Sequence, residues 1–439
     1  MIARCVRNWC LSILALPAAV AAQQGADGAR PITLAEAVRL AQQNSPTTVQ
    51  ARNAERGSQQ SVRSSIAAFF PTLSVSASSN QRGGTQFVNG NPLPLTGLPW
   101  SYGRGLNTSV NLFDGGQRWN QYKTSLANVD RDAAAQVTAR YSVALSVKTQ
   151  YFQVLAARET ESAARRQLEQ AQQQLKVSAT KMEAGVATRA DSLASAIAVG
   201  NARLAILNAQ NSLGNANAGL TRLIASTLVV TAVASDTSEM GAVSLDESTI
   251  SSMLLEGPAV RQASATLAAA KASHRSATTG YMPSLSLTGS YSLAPKGTEN
   301  FNWGGGPTST STNLGFSLNY TIFNNLTRET QLVNARISED NAEASLRDAK
   351  FAAQQNLTTF LNNFRTAQQR VELQLLTITQ ADEALRVVQQ RYNLGTASLL
   401  EVLQAQTTLD NARAALIQAR LDARTAKANI EQLIGRDLP

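Results

Sequence analysis

Residues 199–223 read VGNARLAILNAQNSLGNANAGLTRL and residues 409–433 read LDNARAALIQARLDARTAKANIEQL. In the first stretch Val199, Ala202, Ile206, Ala209, Leu213, Ala216, Leu220 and Leu223 follow one another in alternating steps of three and four. In the second, Leu409, Ala412, Leu416, Ala419, Ala423, Ala426, Ile430 and Leu433 repeat that register. A strict seven-residue repeat holds a narrow apolar seam on one side of a supercoiled helix, whereas the stripe of an ordinary amphipathic helix drifts off it within a few turns. The many alanines let neighbouring helices approach closely. These stretches therefore read as two coiled-coil helices built to one plan.

The plan extends over the whole chain, which matches itself at a shift of about 210 residues. Leu112-Phe113-Asp114 answers Ile322-Phe323-Asn324, and Gly185 answers Gly395. Pro46 pairs with Pro258, and Phe70-Pro71 with Met282-Pro283, at slightly larger shifts. Ahead of each seam helix lies a longer segment, 117–181 and 325–391, with no proline and almost no glycine. At about 1.5 Å per residue each predicts a rod of roughly 95–100 Å, far longer than a globular domain needs. Each copy also opens with a shorter helix marked by a capping-box pair, Thr33 with Glu36 and Ser244 with Glu247.

Between the short and long helices the period changes to two. Leu73, Val75 and Ala77 alternate with serines, and Leu106, Thr108, Val110 and Leu112 alternate with small polar residues. The second copy repeats this with Leu285, Leu287, Gly289, Tyr291 and Leu293, then with Leu314, Phe316, Leu318, Tyr320 and Ile322. Segments of about ten residues with one apolar and one small polar face are the signature of tilted transmembrane strands. A soluble hairpin shows the same alternation, but four such strands in one helix-rich chain favour the membrane. The predicted pairs are 71–82 with 105–114 and 283–295 with 312–323, joined by Gly-, Pro-, Asn- and Ser-rich loops. The domain plan is thus a first repeat over 23–225, a linker over 226–243 and a second repeat over 244–439. Four strands cannot close a barrel, and an open edge in lipid leaves backbone groups unsatisfied. The monomer is excluded. A dimer supplies eight strands and a filled interior, a trimer twelve and a lumen.

Residues 1–22 read as a signal peptide: Arg4 and Arg7, an apolar run, and small residues before a cleavage point at Ala22 or Gln23. Both cysteines, Cys5 and Cys10, fall in that segment, so the mature chain is expected to carry no disulfide or thiolate metal site. No other stretch reads as a membrane helix, the nearest being 223–234. The single histidine, His274, lies beside Lys271 and Arg275 and reads as a solvated helix-face residue. With no second imidazole and no Gly-x-Ser-x-Gly elbow, neither a catalytic residue, a cofactor nor a metal is expected. The formal charge of +9 is spread among Gln, Asn and Ala without a basic-aromatic cluster, so nucleic acid is not an expected partner.

Several of these pieces together resemble the TolC-type outer-membrane efflux and secretion channels. They are Thr33-Leu34-Ala35-Glu36-Ala37 leading to Asn44-Ser45-Pro46, the two Pro-led strand entries, Leu112-Phe113-Asp114-Gly115-Gly116, and Arg391-Tyr392-Asn393-Leu394-Gly395-Thr396. The resemblance implies an α+β membrane protein with long coiled-coil helical hairpins. It implies four transmembrane strands per chain, and a homotrimer whose twelve-strand barrel continues into an α-helical periplasmic tunnel. It also implies an exit duct for efflux or type I secretion in the outer membrane, surrounded by lipid. A periplasmic adaptor protein and an inner-membrane transporter would be its partners. By the same resemblance Tyr392, Asp191, Glu401 and Gln404 belong to a periplasmic gate. Ala184, Gly185, Val186, Leu394, Gly395 and Thr396 would form the adaptor-contact tips. Ala397 and Ala190 depart from the family pattern, where an arginine and a threonine can stand. On residue chemistry alone Asp191 and Glu401 equally suit solvated charges opening a helix. A trimeric envelope fibre with a barrel anchor is the competing reading; there the strands would stay contiguous, whereas here about 170 residues of helix separate the pairs.

Overall fold

The computed structural model describes residues 29–81, 85–94, 101–233, 252–295 and 308–438. The expected signal segment with Cys5 and Cys10, and the Ser244–Glu247 pair, lie outside the described residues.

The first copy runs β1 (Arg30–Ile32), α1 (Leu34–Asn44), α2 (Pro46–Ala67), β2 (Thr72–Asn80), β3 (Thr85–Val88), β4 (Asn91–Pro94), β5 (Ser101–Phe113), α3 (Gln117–Glu183), α4 (Arg189–Ile224) and β6 (Val230–Ala232). The second runs α5 (Pro258–Ala277), β7 (Ser284–Pro295), β8 (Thr308–Asn319), α6 (Thr327–Asn393) and α7 (Leu399–Ile434). Pro46 and Pro258 each stand at the first turn of their helix, where a missing N–H costs nothing. Thr33 caps α1 by accepting from the Glu36 N–H at 3.3 Å, and the Glu36 carboxylate pairs with Arg30 at 3.2 Å. The two long helices are each 67 residues.

The sheet has the order β2-β5-β7-β8, all antiparallel, so the two copies are joined through β5 and β7. Register places Val75 opposite Leu106, Leu106 opposite Tyr291, and Leu287 opposite Phe316 and Val110. One face is thus apolar and exposed, with Leu73, Val75, Leu314, Phe316 and Leu318 all at least two-thirds accessible. Strands β2 and β8 are open edges. The expected β8 alternation stops early: Asn319 pairs with Ser284, the first residue of β7, so Tyr320 and Ile322 have no strand beside them and lie beyond the sheet. Part of the first loop is itself a hairpin, β3–β4, turning at Asn89-Gly90 with both φ positive, as a two-residue hairpin turn requires. At the foot of the barrel strands Gly115, with φ +66°, admits no side chain: a Cβ there would sit 2.2 Å from the Met282 Cβ.

The helical part is two hairpins, α3–α4 and α6–α7, with α3 packed against both α4 and α7. All eight second-copy seam residues are buried. In the first copy Val199, Ala202, Ala209 and Leu220 are buried and the other four half-buried. By length, and with mean hydropathy 1.2 over its most apolar window, α4 is apolar enough to cross a bilayer, which corrects the expectation that no segment beyond the signal is. Its apolarity is the sum of two stripes. Besides the seam, Leu193, Ile197, Leu204 and Leu207 form a second one, 56–65% exposed on the single chain. His274 also departs from expectation. It is half-buried because α5 packs along α6, and its Nδ1 lies 2.6 Å from Glu339 Oε2.

Where the barrel-side and tip-side halves of the hairpins meet, the parallel pair β1–β6 lies over α1, α3 and α4. Tyr151 is fully buried there; its hydroxyl donates to the Ile32 carbonyl at 3.0 Å and accepts from the Val233 N–H at 3.2 Å. Nearby Lys148 binds Glu431 at 2.6 Å and Asp437 at 2.5 Å, tying α3 to the end of the second copy. Tyr151→Phe is expected to cost about 1–2 kcal/mol, since it strips one bond from each of two inward backbone groups. Faster hydrogen exchange over β1 and β6, with α6–α7 unchanged, is the measurement that checks it.

Candidate functional site at the hairpin tips

Both long helices end in the same way. Val186 N–H reaches back to the Lys181 carbonyl at 2.9 Å and Gly185 N–H to Met182 at 3.0 Å; Thr396 N–H reaches Arg391 at 2.8 Å and Gly395 N–H reaches Tyr392 at 3.1 Å. This crossed pair of bonds needs a left-handed residue just past the helix, and Gly185 and Gly395 supply it with φ +73° and +79°. The turns leave Val186 76% and Leu394 80% exposed, with Ala184, Gly185 and Gly395 also open to solvent and Thr396 bonded through its hydroxyl to the Arg391 carbonyl at 3.1 Å.

The return helices start with matching capping boxes. Asp191 Oδ2 accepts from the Thr188 N–H at 2.9 Å and from its hydroxyl at 2.8 Å, while the Asp191 N–H donates to Thr188 Oγ1 at 3.2 Å. Glu401 Oε1 accepts from the Ser398 N–H at 3.0 Å and its hydroxyl at 3.1 Å, and Arg391 stands 3.7 Å from the other oxygen. The Ser398 N–H first, and the hydroxyl second, hold the Glu401 carboxyl below its ordinary range. Gln404 is exposed one turn further along. Ala190 is exposed as well, while Ala397 packs against the apolar cluster of the second tip.

Tyr392 is placed differently from the carboxylates. Its ring is 7% exposed, in a cluster with Leu385, Leu399 and Val402. Burial first, and the charge of Asp191 second, push its hydroxyl pKa up. The hydroxyl is buried without a hydrogen-bond partner among the described residues. Asp191 is therefore close enough to be felt but is engaged by Thr188. The group that does join the hairpins is Lys181, which sequence reading passed over. Its ammonium sits 3.9 Å from the centroid of the Tyr392 ring and donates to the Tyr392 carbonyl. That carbonyl belongs to the last turn of α6 and also accepts from the Gly395 N–H, and a cation there is favoured by the helix dipole. The available signal was the duplication: Lys181 answers Arg391, a basic residue before each tip glycine.

Further from the tip, Asp410 lines a groove of about 400 Å³ between the hairpins, with Gln167, Ile197 and Leu403. Burial pushes its carboxyl up, against the opposing pull of Arg413 and Gln167. Among the described residues no three carboxylate or imidazole groups converge on one point. The geometry suits holding the two hairpins together.

Residues 37–226 and 249–436 match the model of one protein family, described as outer membrane efflux protein. The pyoverdine export outer membrane protein OpmQ of Pseudomonas aeruginosa is 26% identical over 342 residues, covering 76% of this chain and 70% of that protein. Protein CyaE of Bordetella pertussis is 25% identical over 407 residues, covering 88% and 81%. The solved CmeC outer membrane channel of Campylobacter jejuni superposes with a TM-score of 0.76 at 19% identity, covering 92% of this chain and 85% of that one, a likeness of fold.

Proposed function

Since the chain belongs to the outer membrane efflux protein family, lying in the outer membrane with its helices in the periplasm, we propose that three copies form one passive exit duct. The observation that carries this is the four-stranded sheet with one apolar face, one hydroxyl face and two open edges, continuous with two 67-residue helices. Edge β8 of one copy pairs with edge β2 of the next, and three copies close twelve strands around a lumen. The exposed stripe on α4 is covered by a neighbouring copy in the same assembly. The return helices, 36 residues each, run back from the tips to about the middle of the 67-residue helices. Helices α2 and α5 continue alongside toward the strands, which suits a tube better than a stalk. The duct performs no catalysis.

At the far end the exposed tips around Gly185 and Gly395 meet a periplasmic adaptor protein, through which an inner-membrane transporter delivers cargo. The gate lies just inside, around Lys181, Asp191, Tyr392, Glu401 and Gln404. The name of OpmQ speaks of pyoverdine export by that protein; for this chain the transporter sets the cargo.

Gently extracted protein should run as a heat-modifiable trimer and show a continuous hollow axis by electron microscopy. A solid stalk, or a stable water-soluble monomer, would overturn the duct.

A further inference from the structure

The face of the sheet opposite the apolar one is built entirely from hydroxyls, amides and glycines across its central rows. Register aligns Ser74, Asn107, Ser290 and Asn313 in one row across all four strands. The row beside it is Thr72, Ser109, Thr288 and Gly315. These side chains bond to one another and to the ladder: Thr72 Oγ1 lies 2.8 Å from Ser109 Oγ, Asn107 donates its amide to Ser76 Oγ at 3.2 Å, and Thr288 donates to the Gly315 carbonyl at 3.3 Å. Arg104 is the single charged residue in β2, β5, β7 and β8, and it aligns with Ala77 and Leu293 on the apolar face.

In a membrane barrel the apolar face must turn to lipid and the polar face to water. The rows above then repeat around the lumen as rings of neutral dipoles. A channel with low-dielectric walls focuses the field of any charge it carries and concentrates ions of the opposite sign. Rotatable hydroxyls and amides bind water without imposing a sign, since each offers both a donor and an acceptor.

We propose that the barrel lumen is charge-blind: its hydroxyl-and-amide lining passes hydrated solutes of either sign alike, sorts them by width, and leaves discrimination by charge to the helical part of the duct. The proposal rests on the duct reading above.

The test uses the reconstituted full-length oligomer carrying C5S and C10S, so that one introduced thiol is the only one. Asn107→Cys and Ser290→Cys place it on the hydroxyl face, and Thr108→Cys on the other. Each is treated with a cationic and an anionic methanethiosulfonate of similar size, and rates are divided by those for free 2-mercaptoethanol. The expected result is reaction at Asn107→Cys and Ser290→Cys with the cation-to-anion ratio within about threefold of unity, against the ten-fold or larger bias of a charged cleft. Thr108→Cys stays unreactive. A ratio beyond threefold at both positions, with Thr108→Cys still protected, overturns charge-blindness and leaves the barrel standing. Reaction at Thr108→Cys with Asn107→Cys protected overturns the face assignment and the duct reading with it.

Discussion

Replacing Lys181 by methionine is expected to raise the single-channel conductance of the assembled protein in planar bilayers several-fold. Methionine keeps most of the apolar stem but removes the ammonium that lies over the Tyr392 ring and bonds its carbonyl. A cation over an aromatic face contributes about 0.5–2 kcal/mol and a hydrogen bond to a charged group about 1.5–3 kcal/mol. Taking the low ends, because Lys181 is only half-buried, about 2 kcal/mol per protomer favours the joined hairpins, and each 1.4 kcal/mol is a factor of ten in an equilibrium. Three protomers acting on one entrance compound the shift. Lys181→Arg retains the charge and should stay near the parent. Adding Asp191→Ala to Tyr392→Phe should loosen the entrance less, since Asp191 is bonded to Thr188 and the Tyr392 hydroxyl bonds nothing among the described residues. Parent-like conductance of Lys181→Met in properly assembled oligomers would sink the gate at this position while leaving the duct untouched.

Leu204→Lys combined with Leu207→Lys is expected to abolish the oligomer. Both side chains are exposed on the single chain, at 59% and 60%, three residues apart on the free stripe of α4. Covering each by a neighbouring helix stabilises the assembly by about 1.5–3 kcal/mol, and burying an unpaired ammonium there instead costs more than that gain. Threefold repetition multiplies the loss. The fold of one protomer should survive, because the seam of α4, with Val199, Ala202 and Ala209, faces the other way into its own hairpin. Loss of the trimer band and of channel activity, with helical circular dichroism retained, is the outcome sought. An intact trimer would show that this stripe faces something other than a second copy.

Some of the site was open to reading because it is written in short patterns. The tip glycines announce themselves, since only a left-handed residue ends these helices with its carbonyls satisfied. Asp191 and Glu401 also repeat a Ser/Thr-x-x-Asp/Glu pattern, Thr188 with Asp191 and Ser398 with Glu401, of the kind recognised at Thr33 but passed over at the tips. What they do at short range is cap helices, and the proposed gate role rests on their repetition around the axis of the proposed trimer. The contact between Lys181 and Tyr392 was beyond the sequence because the two are 211 residues apart.

Periodicity is a local property of the backbone: a step of 3.6 or 2 residues decides which side chains share a face whatever lies beside the element. The sequence by itself therefore determined the two-copy plan, the long helices, the coiled-coil seams and the apolar and hydroxyl faces of the strands. Only the tertiary structure decided which element lies next to which. It joined the copies through β5 and β7, left β2 and β8 as free edges, ended β8 at Asn319 where β7 has no further partner, and set α3 between α4 and α7. It also drew His274 to Glu339 and Lys181 to Tyr392. Such choices depend on closing long loops and on the fit of whole surfaces, which no window of sequence encodes.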